Sequence, residues 1–465
     1  MTWWTRLKAA FGSASIPTPP IGGSDVIGAR SVWQQFTRIG GNLTPADVTS
    51  IIRQADGGDP SRLVDLANDA RQKDGHLHSN LSTRENALTA LPLTVVPFKA
   101  RDERKPAPRD ADVAAFVSDA IDGAVGDGDE LRSVDELVPH LNGAVYHGFS
   151  HAGIAWERAG RQLMPAGFSL IDQRRFQFRQ SDGRLVFADG RVSGWGGSAG
   201  IDLVREYPGQ YMQHTPRING DVPVREGLSH LLVWAATFRN WGLVDWLKLA
   251  ELAWKPWRIG KRLGKAGDTD KGELLTALQH LTSSGIMVHG PEIEVDLRWP
   301  GQEGRGSSTS THKELADWLG AEMSKAILGQ TLTTEQGSSG AYSLGKVHDE
   351  VRKDIRDQDG KAVAATIRRD LVRPLVLLNF GDVPIPGVEF QTDDSTDLGE
   401  FSSAITMLKD AGLSIPEWWV YDVTGVPAPQ EGDAVLGDSG EDVDVDMTEL
   451  DADEESVEST SPDQE

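Results

Sequence analysis

One short run of the sequence comes close to the motif of a nucleotide-binding phosphate loop. Residues Gly340 to Lys346 match its first seven positions, in which two glycines and a lysine bind phosphate groups. The eighth position requires the hydroxyl of Ser or Thr to hold a magnesium ion, and this chain has Val347 there. The run also follows a predicted helix and a polar loop, where the motif requires a buried strand. These differences favour a loop and a helix start over an ATP site.

Two histidines raise the question of a metal site. His76 and His78 are two residues apart in a predicted helix, so they lie on different faces, and no third ligand is close in sequence. The chain has no cysteine, which excludes disulfides and thiolate zinc sites. The sequence also contains no Ser/His/Asp motif and no paired-carboxylate motif. We therefore expect no metal, no cofactor and no catalytic activity.

A basic segment indicates another chemistry, contact with phosphate. Between Phe238 and Lys265 the apolar residues recur at helical spacing, which predicts a helix over 236–262. Bases near the end of a helix complement its dipole, and they could equally contact nucleic-acid phosphate. The sequence leaves both interpretations open. The bases in question are Lys255, Arg258, Lys261, Arg262 and Lys265.

A loop of small polar residues precedes the longest helical pattern of the chain. The loop runs from Gln330 to Gly340, and the helical pattern runs from Tyr342 to Phe380 with apolar residues mostly three to four apart. A helix this long behind such a loop indicates a large assembly in which the loop is exposed. The candidate contact residues of the loop are Gln330, Thr331, Thr333, Thr334, Glu335, Gln336, Ser338 and Ser339.

Length and charge limit the class of protein. A chain of 465 residues should form two or more packed units. Its net charge is −24, and residues 431–465 hold 15 Asp or Glu and no Lys or Arg, so we expect a disordered acidic tail there. Residues 1–39 are predicted to form an N-terminal arm and linker. No apolar run approaches the ~20 residues that a membrane-spanning helix needs.

The N-terminal half predicts helices followed by strands. Thr44-Pro45 and Asp59-Pro60 are typical helix starts, and a strand is predicted at 91–98. Strand-like pieces then extend from Gly153 to Trp234, and they include a hairpin that turns at Asp182-Gly183. Further helices are predicted at 110–123 and 131–147.

The C-terminal half predicts a small αβ insert between two helices. A strand is predicted at 293–299, and a helix at 311–328 leads into the polar loop. After the long helix, a strand is predicted at 388–391 and a helix at 398–410. The chain as a whole is therefore predicted to be an α+β protein.

Several runs together resemble the portal protein family of Mu-like tailed bacteriophages. The most specific is Ile-Leu-Gly-Gln-Thr-Leu-Thr-Thr at 327–334, and the runs around it agree in order. The resemblance extends from about residue 40 to 430. The other runs are Asp74 to Arg84, Trp241 to Gly260, Val347 to Arg352 and Leu371 to Gly381.

This resemblance implies a ring of roughly twelve identical subunits at one vertex of a capsid. Double-stranded DNA would enter and leave through its channel. The implied partners are the terminase large subunit, head-completion or adaptor proteins, and the major capsid and scaffold proteins, with no membrane. The implied location is the virion, and the host cytoplasm during assembly.

The resemblance also implies an architecture of wing, stem, clip and crown. The loop at 330–341 would be a tunnel loop that faces DNA, and the basic residues would lie at the junction of stem and clip. The remaining parts would be a wing at 40–235, stem helices at 236–262 and 311–329, a clip at 263–310, a long wing helix at 342–381 and a crown-like piece at 382–430.

Two alternatives remain open from the residues. The first is a nucleotide-dependent DNA-handling enzyme that uses the loop from Gly340 to Lys346. The second is a peripheral membrane or scaffold-binding module that acts through Trp3, Trp4 and the basic segment.

Overall fold

The computed structural model contains helices and strands throughout the part of the chain that it describes, which confirms the α+β class. The chain divides into two compact units, residues 1–392 and 393–465. The structure describes residues 6–7, 11, 43–101, 105–179, 181–188, 200–216, 223–254, 257–262, 293–298, 308–330, 341–392, 398–424 and 426.

The first unit begins with helices and continues with antiparallel strands. Its elements up to residue 214 are α1 (Pro45–Asp56), α2 (Ser61–Lys73), α3 (Gly75–Thr89), β1 (Leu93–Val96), α4 (Pro108–Asp122), α5 (Val134–Asn142), α6 (Ala144–His147), β2 (Ser150–Ala159), β3 (Gln162–Ile171), β4 (Phe176–Arg179), β5 (Arg184–Phe187), α7 (Leu203–Glu206) and β6 (Tyr211–His214).

Long helices and three strands follow. These elements are α8 (Ser229–Trp254), β7 (Trp257–Arg262), β8 (Ile293–Arg298), α9 (Ser308–Leu328), α10 (Ala341–Ile367), a π-helical turn (Arg368–Val372), α11 (Arg373–Phe380) and β9 (Gly387–Phe390). The second unit contains α12 (Leu398–Asp410) and α13 (Glu417–Thr424).

Local sequence signals account for several boundaries. Thr44 caps α1 in a capping box with Asp47, and Pro45 occupies the first turn, as predicted. The hairpin of β4 and β5 turns where predicted, with Gly183 at a φ of 67°, a conformation that glycine adopts without steric cost. In both cases the residues that predict the feature lie within a few positions of it in the chain.

The strands form small antiparallel sheets that pair distant parts of the chain. β2 lies between β3 and β6 in a three-stranded sheet. β1 pairs with β9, which follows it by almost three hundred residues, and β7 pairs with β8. The β1–β9 pair therefore ties the end of the first unit to its N-terminal helices.

Two apolar cores hold the described part of the first unit. One joins α1, α2 and α3 to the β4–β5 hairpin and to α8 and α9. The other packs α4 and α5 against the β2–β3 sheet and against α10, α11 and β9. The residues Leu371, Val372, Leu375 and Val376 are fully buried there, so the long C-terminal helix is a structural centre of the second core.

The predicted helix at 236–262 is wrong at both ends. The helix α8 starts at Ser229, so Leu231 to Trp234 are helical and not strand-like. Short apolar runs fit a buried helix or a strand equally well, which explains the error. The helix ends at Trp254, two residues before Pro256, because proline has no backbone N–H and disfavours helix in the residue before it. The strand β7 occupies 257–262 instead.

The long helix predicted from Tyr342 to Phe380 is confirmed, with one irregular turn. Between α10 and α11, residues 368–372 form a π-helical turn in which the Arg373 N–H donates to the Arg368 carbonyl oxygen. Pro374 follows at the start of α11, where its missing N–H leaves no regular helical bond to lose. The sequence therefore predicted the helix but not the extra residue in this turn.

The described part of the second unit is a pair of short helices with little burial. Phe401 of α12 and Trp419 of α13 have ring centroids 5.8 Å apart. The described residues of this unit include exposed Met407, Leu408 and Leu413. None of the helices in the described ranges combines the length and apolar character needed to cross a membrane.

Five histidines in the first unit have a pKa below the usual value because burial disfavours the charged ring. Burial lowers the pKa of His147 and His214 to about 4 and that of His151 to about 3. Burial also lowers the pKa of His140 and His230. These rings are neutral in the folded protein at pH 7.

We expect the fold to lose stability between about pH 6.5 and pH 4. The unfolded chain binds these protons near the ordinary histidine pKa while the folded chain does not, so stability falls as pH decreases. A histidine with a pKa of about 4 contributes up to about 3 kcal/mol of this loss. Thermal unfolding followed by circular dichroism across this range measures the effect.

The matched variants are His147→Gln and His78→Gln. His78 is exposed, so its replacement should leave the pH profile unchanged, whereas His147→Gln should flatten it. An identical slope for both variants between pH 6.5 and pH 4 would contradict this assignment.

Candidate functional site

The predicted contact loop begins where α9 ends, and the structure describes its first residue. Gln330 is buried at 4% exposure, and its Oε1 has no hydrogen-bond partner among the described residues. The other seven loop candidates lie outside the described residues. These are Thr331, Thr333, Thr334, Glu335, Gln336, Ser338 and Ser339.

The end of α9 packs closely against the side of α10. Gly329 closes α9 with a φ of 70°, and its N–H donates to the Lys325 carbonyl oxygen at 3.0 Å. A Cβ at this position would lie 3.0 Å from Val351 Cγ1 and 3.3 Å from Ile355 Cδ1 of α10. Both the backbone conformation and the space therefore require glycine.

A buried ion pair joins three elements at the same place. The Arg84 guanidinium on α3 donates to both carboxylate oxygens of Asp359 on α10, at 2.7 and 2.9 Å. Its Nη1 also donates to the Ile327 carbonyl oxygen near the C-terminus of α9, at 2.9 Å. The two side chains are 12% and 6% exposed, so this is a buried bidentate pair. It fixes the end of α9 relative to α10.

Two more polar residues on α3 extend this contact along α9. His76 Nε2 lies 2.8 Å from both the Gly320 carbonyl oxygen and Ser324 Oγ. Asn80 Nδ2 donates to the same Ser324 Oγ at 2.9 Å. His76, Asn80 and Arg84 are four residues apart, so they form one stripe along the helix. We call this stripe the α3 polar stripe.

The start of α3 is held by a fourth polar residue. Asp74 accepts hydrogen bonds from the backbone N–H groups of His76 and Leu77 and so caps the helix. The Arg239 Nη1 on α8 also donates to both of its carboxylate oxygens, at 2.8 Å each. Asp74 and the α3 polar stripe together attach α3 to α8, α9 and α10.

These contacts hold the backbones of α3, α8, α9 and α10 in place and do not form a catalytic arrangement of side chains. His76 contacts α9 while His78 is exposed, so they do not face a common ligand. The described residues contain no cluster of three His, Asp or Glu side chains that fits a metal ion. What the geometry does is fix the end of α9, where the 331–340 segment begins, against the middle of α10.

The structure does not gather the predicted basic residues on a helix end. Arg258, Lys261 and Arg262 lie on β7, where the register places Lys261 opposite Glu294 of β8. Because these three residues belong to a strand, the predicted cluster at a helix end does not form. Lys255 and Lys265 lie outside the described residues.

The sequence reasoning missed the α3 polar stripe. A signal was present, since His76, Asn80 and Arg84 recur at a spacing of four in a predicted helix. Their partners, Ser324 and Asp359, lie more than 240 residues away, and no local pattern identifies them.

Removing one member of the Arg84–Asp359 pair should strongly destabilise the first unit. We expect Asp359→Asn to cost about 3–5 kcal/mol, because it leaves the Arg84 charge buried without its partner. The double variant Arg84→Met/Asp359→Leu should be less destabilised than either single variant. The midpoints of thermal unfolding rank the stabilities of the single and double variants.

The matched control is a more exposed ion pair between α2 and α3. Arg71 and Glu85 are bonded at 2.6 Å but are 28% and 19% exposed, so Glu85→Gln should cost about 1 kcal/mol or less. An equal loss for Glu85→Gln and Asp359→Asn would show that burial of the Arg84 pair has no special role.

The solved structures that match this chain include two with TM-scores below 0.5. One is described as the neck of an empty GTA particle, with a TM-score of 0.46 and 14% identity over 83% of this chain and 95% of that chain. Another is an HK97 family phage portal protein from Corynebacterium diphtheriae, with a TM-score of 0.39 and 10% identity over 75% of this chain and 95% of that chain.

Relatives found by sequence share a higher percentage of identical residues with this chain than these two structures do. The Mu-like prophage FluMu protein gp29 of Haemophilus influenzae is 32% identical over 414 residues, which cover 85% of this chain and 73% of that protein. The portal protein of Escherichia phage Mu is 30% identical over 408 residues, with the same shares of each chain. A family model described as the portal protein of Mu bacteriophage matches residues 64–426. Because that match spans most of the sequence, the chain belongs to the Mu bacteriophage portal protein family.

Proposed function

We propose that this chain forms a ring of about twelve copies at one capsid vertex, and that double-stranded DNA passes through the ring. The observation that carries the proposal is the buried attachment of α3 to α9 and α10, which fixes the end of α9 where the polar 331–340 segment begins. A channel needs its DNA-facing segment at a fixed place in every copy. The chain acts in this role as a structural protein without catalysis of its own.

Exposed apolar side chains on α8 and α9 support association between copies. Leu247 on α8 is 69% exposed, and Leu315 and Trp318 on α9 are 44% and 59% exposed. The helix α8 is apolar nearly all round, a pattern typical of helices that are covered on more than one side. In a cyclic ring each subunit would cover this surface of its neighbour.

The parts of the chain then take the following roles. The stem would consist of α8 and α9, and the clip would lie between them and include the β7–β8 pair. The 330–341 segment would be the tunnel loop, with α10 and α11 as the long wing helix behind it. The wing would be the α1 to β6 region, and residues 382–430 would be the crown-like piece, followed by the acidic tail at 431–465.

The residues proposed to face DNA suit a duplex that must slide. Thr, Ser and Gln side chains offer hydrogen bonds without the many charge contacts that release counterions and give tight binding. The net charge of −24 also disfavours tight binding of phosphate. The basic residues from Lys255 to Lys265 would lie where stem and clip meet, close to DNA or to an acidic partner.

The partners follow from this placement. The clip would bind the terminase large subunit during DNA packaging and the head-completion or adaptor proteins afterwards. The wing side would contact the major capsid and scaffold proteins. The protein would be located in the virion at the portal vertex, and in the host cytoplasm during assembly.

The oligomeric state tests the ring directly. Twelve copies of the 50.5 kDa chain give a mass of about 600 kDa, and we expect this species in mass photometry with a central hole in negative-stain images.

Trp318→Ser should reduce the ring population, because it removes an exposed apolar contact. The neighbouring exposed Asp317→Ser is the matched control and should leave it unchanged. A stable dimer, or equal ring populations for both variants, would contradict the proposal.

A single lysine in the proposed tunnel loop tests the channel. Thr334→Lys places one new charge in each copy, so a ring of about twelve should bind duplex DNA more tightly, with a steeper salt dependence. DNA packaging in a reconstituted system should slow. Thr334→Gln changes the size without the charge and is the control. If Thr334→Lys leaves DNA binding unchanged in intact rings, then the segment does not face DNA.

A further inference from the structure

A groove lies beside the π-helical turn, outside the channel assigned above. Its volume is about 760 Å³. One wall is α10 with the π turn, and the opposite wall is β9 over its whole length. This size falls in the range of about 300–1,000 Å³ that is typical of ligand-binding clefts.

The groove is basic although the chain is strongly acidic. Its lining includes two acids, Asp357 and Glu389. Against them stand five bases, in a chain whose net charge is −24. The bases are Arg356, Lys361, Arg368, Arg369 and Arg373.

The π turn places three exposed bases in one row. Lys361 and Arg368 are seven residues apart, which is about two turns and therefore the same face. In a regular helix Arg373 would lie about 120° away from Lys361, but the one residue added by the π turn returns it to within about 20°. All three residues line the groove, as this rotation requires.

One of these bases already holds the walls of the groove together. Arg368 donates to the carbonyl oxygens of Ile385 and Pro386, at 3.0 and 2.9 Å, and so fixes the segment before β9. Arg369 pairs with Asp370. Lys361 is exposed and has no ion-pair partner among the described residues. Hydrogen bonds from Arg368 therefore hold the groove in shape, while Lys361 provides a positive charge at its rim.

The floor of the groove is apolar. Leu88 and Val388 are buried, and Ala364, Ile385 and Phe390 complete the floor. A phosphate backbone would leave these side chains uncovered. A peptide that carries both carboxylates and apolar side chains would cover them and pair with the bases at the rim.

We propose that this groove binds an acidic, partly apolar peptide segment of a partner protein. The carboxylates of that segment bind the row of Lys361, Arg368 and Arg373, and its apolar side chains pack on the floor. Arginine suits this role because its planar guanidinium binds carboxylates through two parallel hydrogen bonds. The site does not depend on the ring or on the channel, so it is tested separately from the proposed function.

Fluorescence anisotropy with a labelled peptide of alternating Glu and Leu, about twelve residues long, tests the site on the full chain. We expect saturable binding that weakens with salt. Lys361→Glu should weaken it about 5-fold or more, because it replaces an exposed partner by a like charge. Lys353→Glu is the matched control, since Lys353 is exposed on the same helix but does not line the groove.

A steric variant separates the groove from general electrostatic attraction. Ala365 is exposed and lines the groove, so Ala365→Phe should fill it and weaken peptide binding without any change in charge. Both variants should retain the wild-type circular dichroism spectrum and unfolding midpoint.

Three outcomes would overturn the proposal. The first is no binding of the Glu/Leu peptide at about 1 mM. The second is equal weakening by Lys361→Glu and Lys353→Glu. The third is a short duplex DNA that binds more tightly than the peptide and is unaffected by Ala365→Phe, which would assign the basic row to phosphate.

Discussion

The structure of the first unit depends on the buried guanidinium of Arg84. A buried charge is stable only when it is paired and hydrogen-bonded, and here the Asp359 carboxylate and the Ile327 carbonyl oxygen together accept three hydrogen bonds from it. These partners come from α10 and α9, two helices that the 331–340 segment connects. Any shift of one helix along the other would break a charged hydrogen bond. The pair therefore fixes the relative register of the two helices.

Apolar packing alone would not fix this register. The α9 residues Met323, Ile327 and Leu328 are buried in the first core, and such contacts tolerate small sliding movements. The α3 polar stripe adds directional bonds at Gly320 and Ser324 along the same helix. The apolar cores supply most of the stabilising free energy, while the polar contacts select one arrangement among several of similar packing.

Sequence reasoning succeeded where the signal was local. The helix start at Thr44-Pro45, the Asp182-Gly183 turn and the helix 398–410 each depend on residues close together in the chain, and each is confirmed. It failed where a local pattern was ambiguous. The run at 231–234 is helical, and β7 replaces the last part of a predicted helix. Family membership came from the specific runs at 327–334 and beyond, not from periodicity.

The candidate site was only partly predictable, for physical reasons. The loop was identified by its composition, and Gln330 is its one candidate within the described residues. The residues that hold the loop could not be identified, because Arg84 and Asp359 are 275 positions apart and each resembles an ordinary surface charge in its own segment. The partner of a buried charge is set by tertiary structure, which a single sequence does not display.

The π turn illustrates the same limit within one helix. A regular helix through 341–380 would place Arg373 away from Lys361 and Arg368, and the sequence gives no sign of an added residue. The turn also directs Asp370 inwards, where its carboxylate accepts from the Gln213 N–H at 3.1 Å while Leu371 and Val372 enter the second core. One inserted residue therefore serves two surfaces, since it joins the helix to β6 on its buried side and aligns three bases on its exposed side.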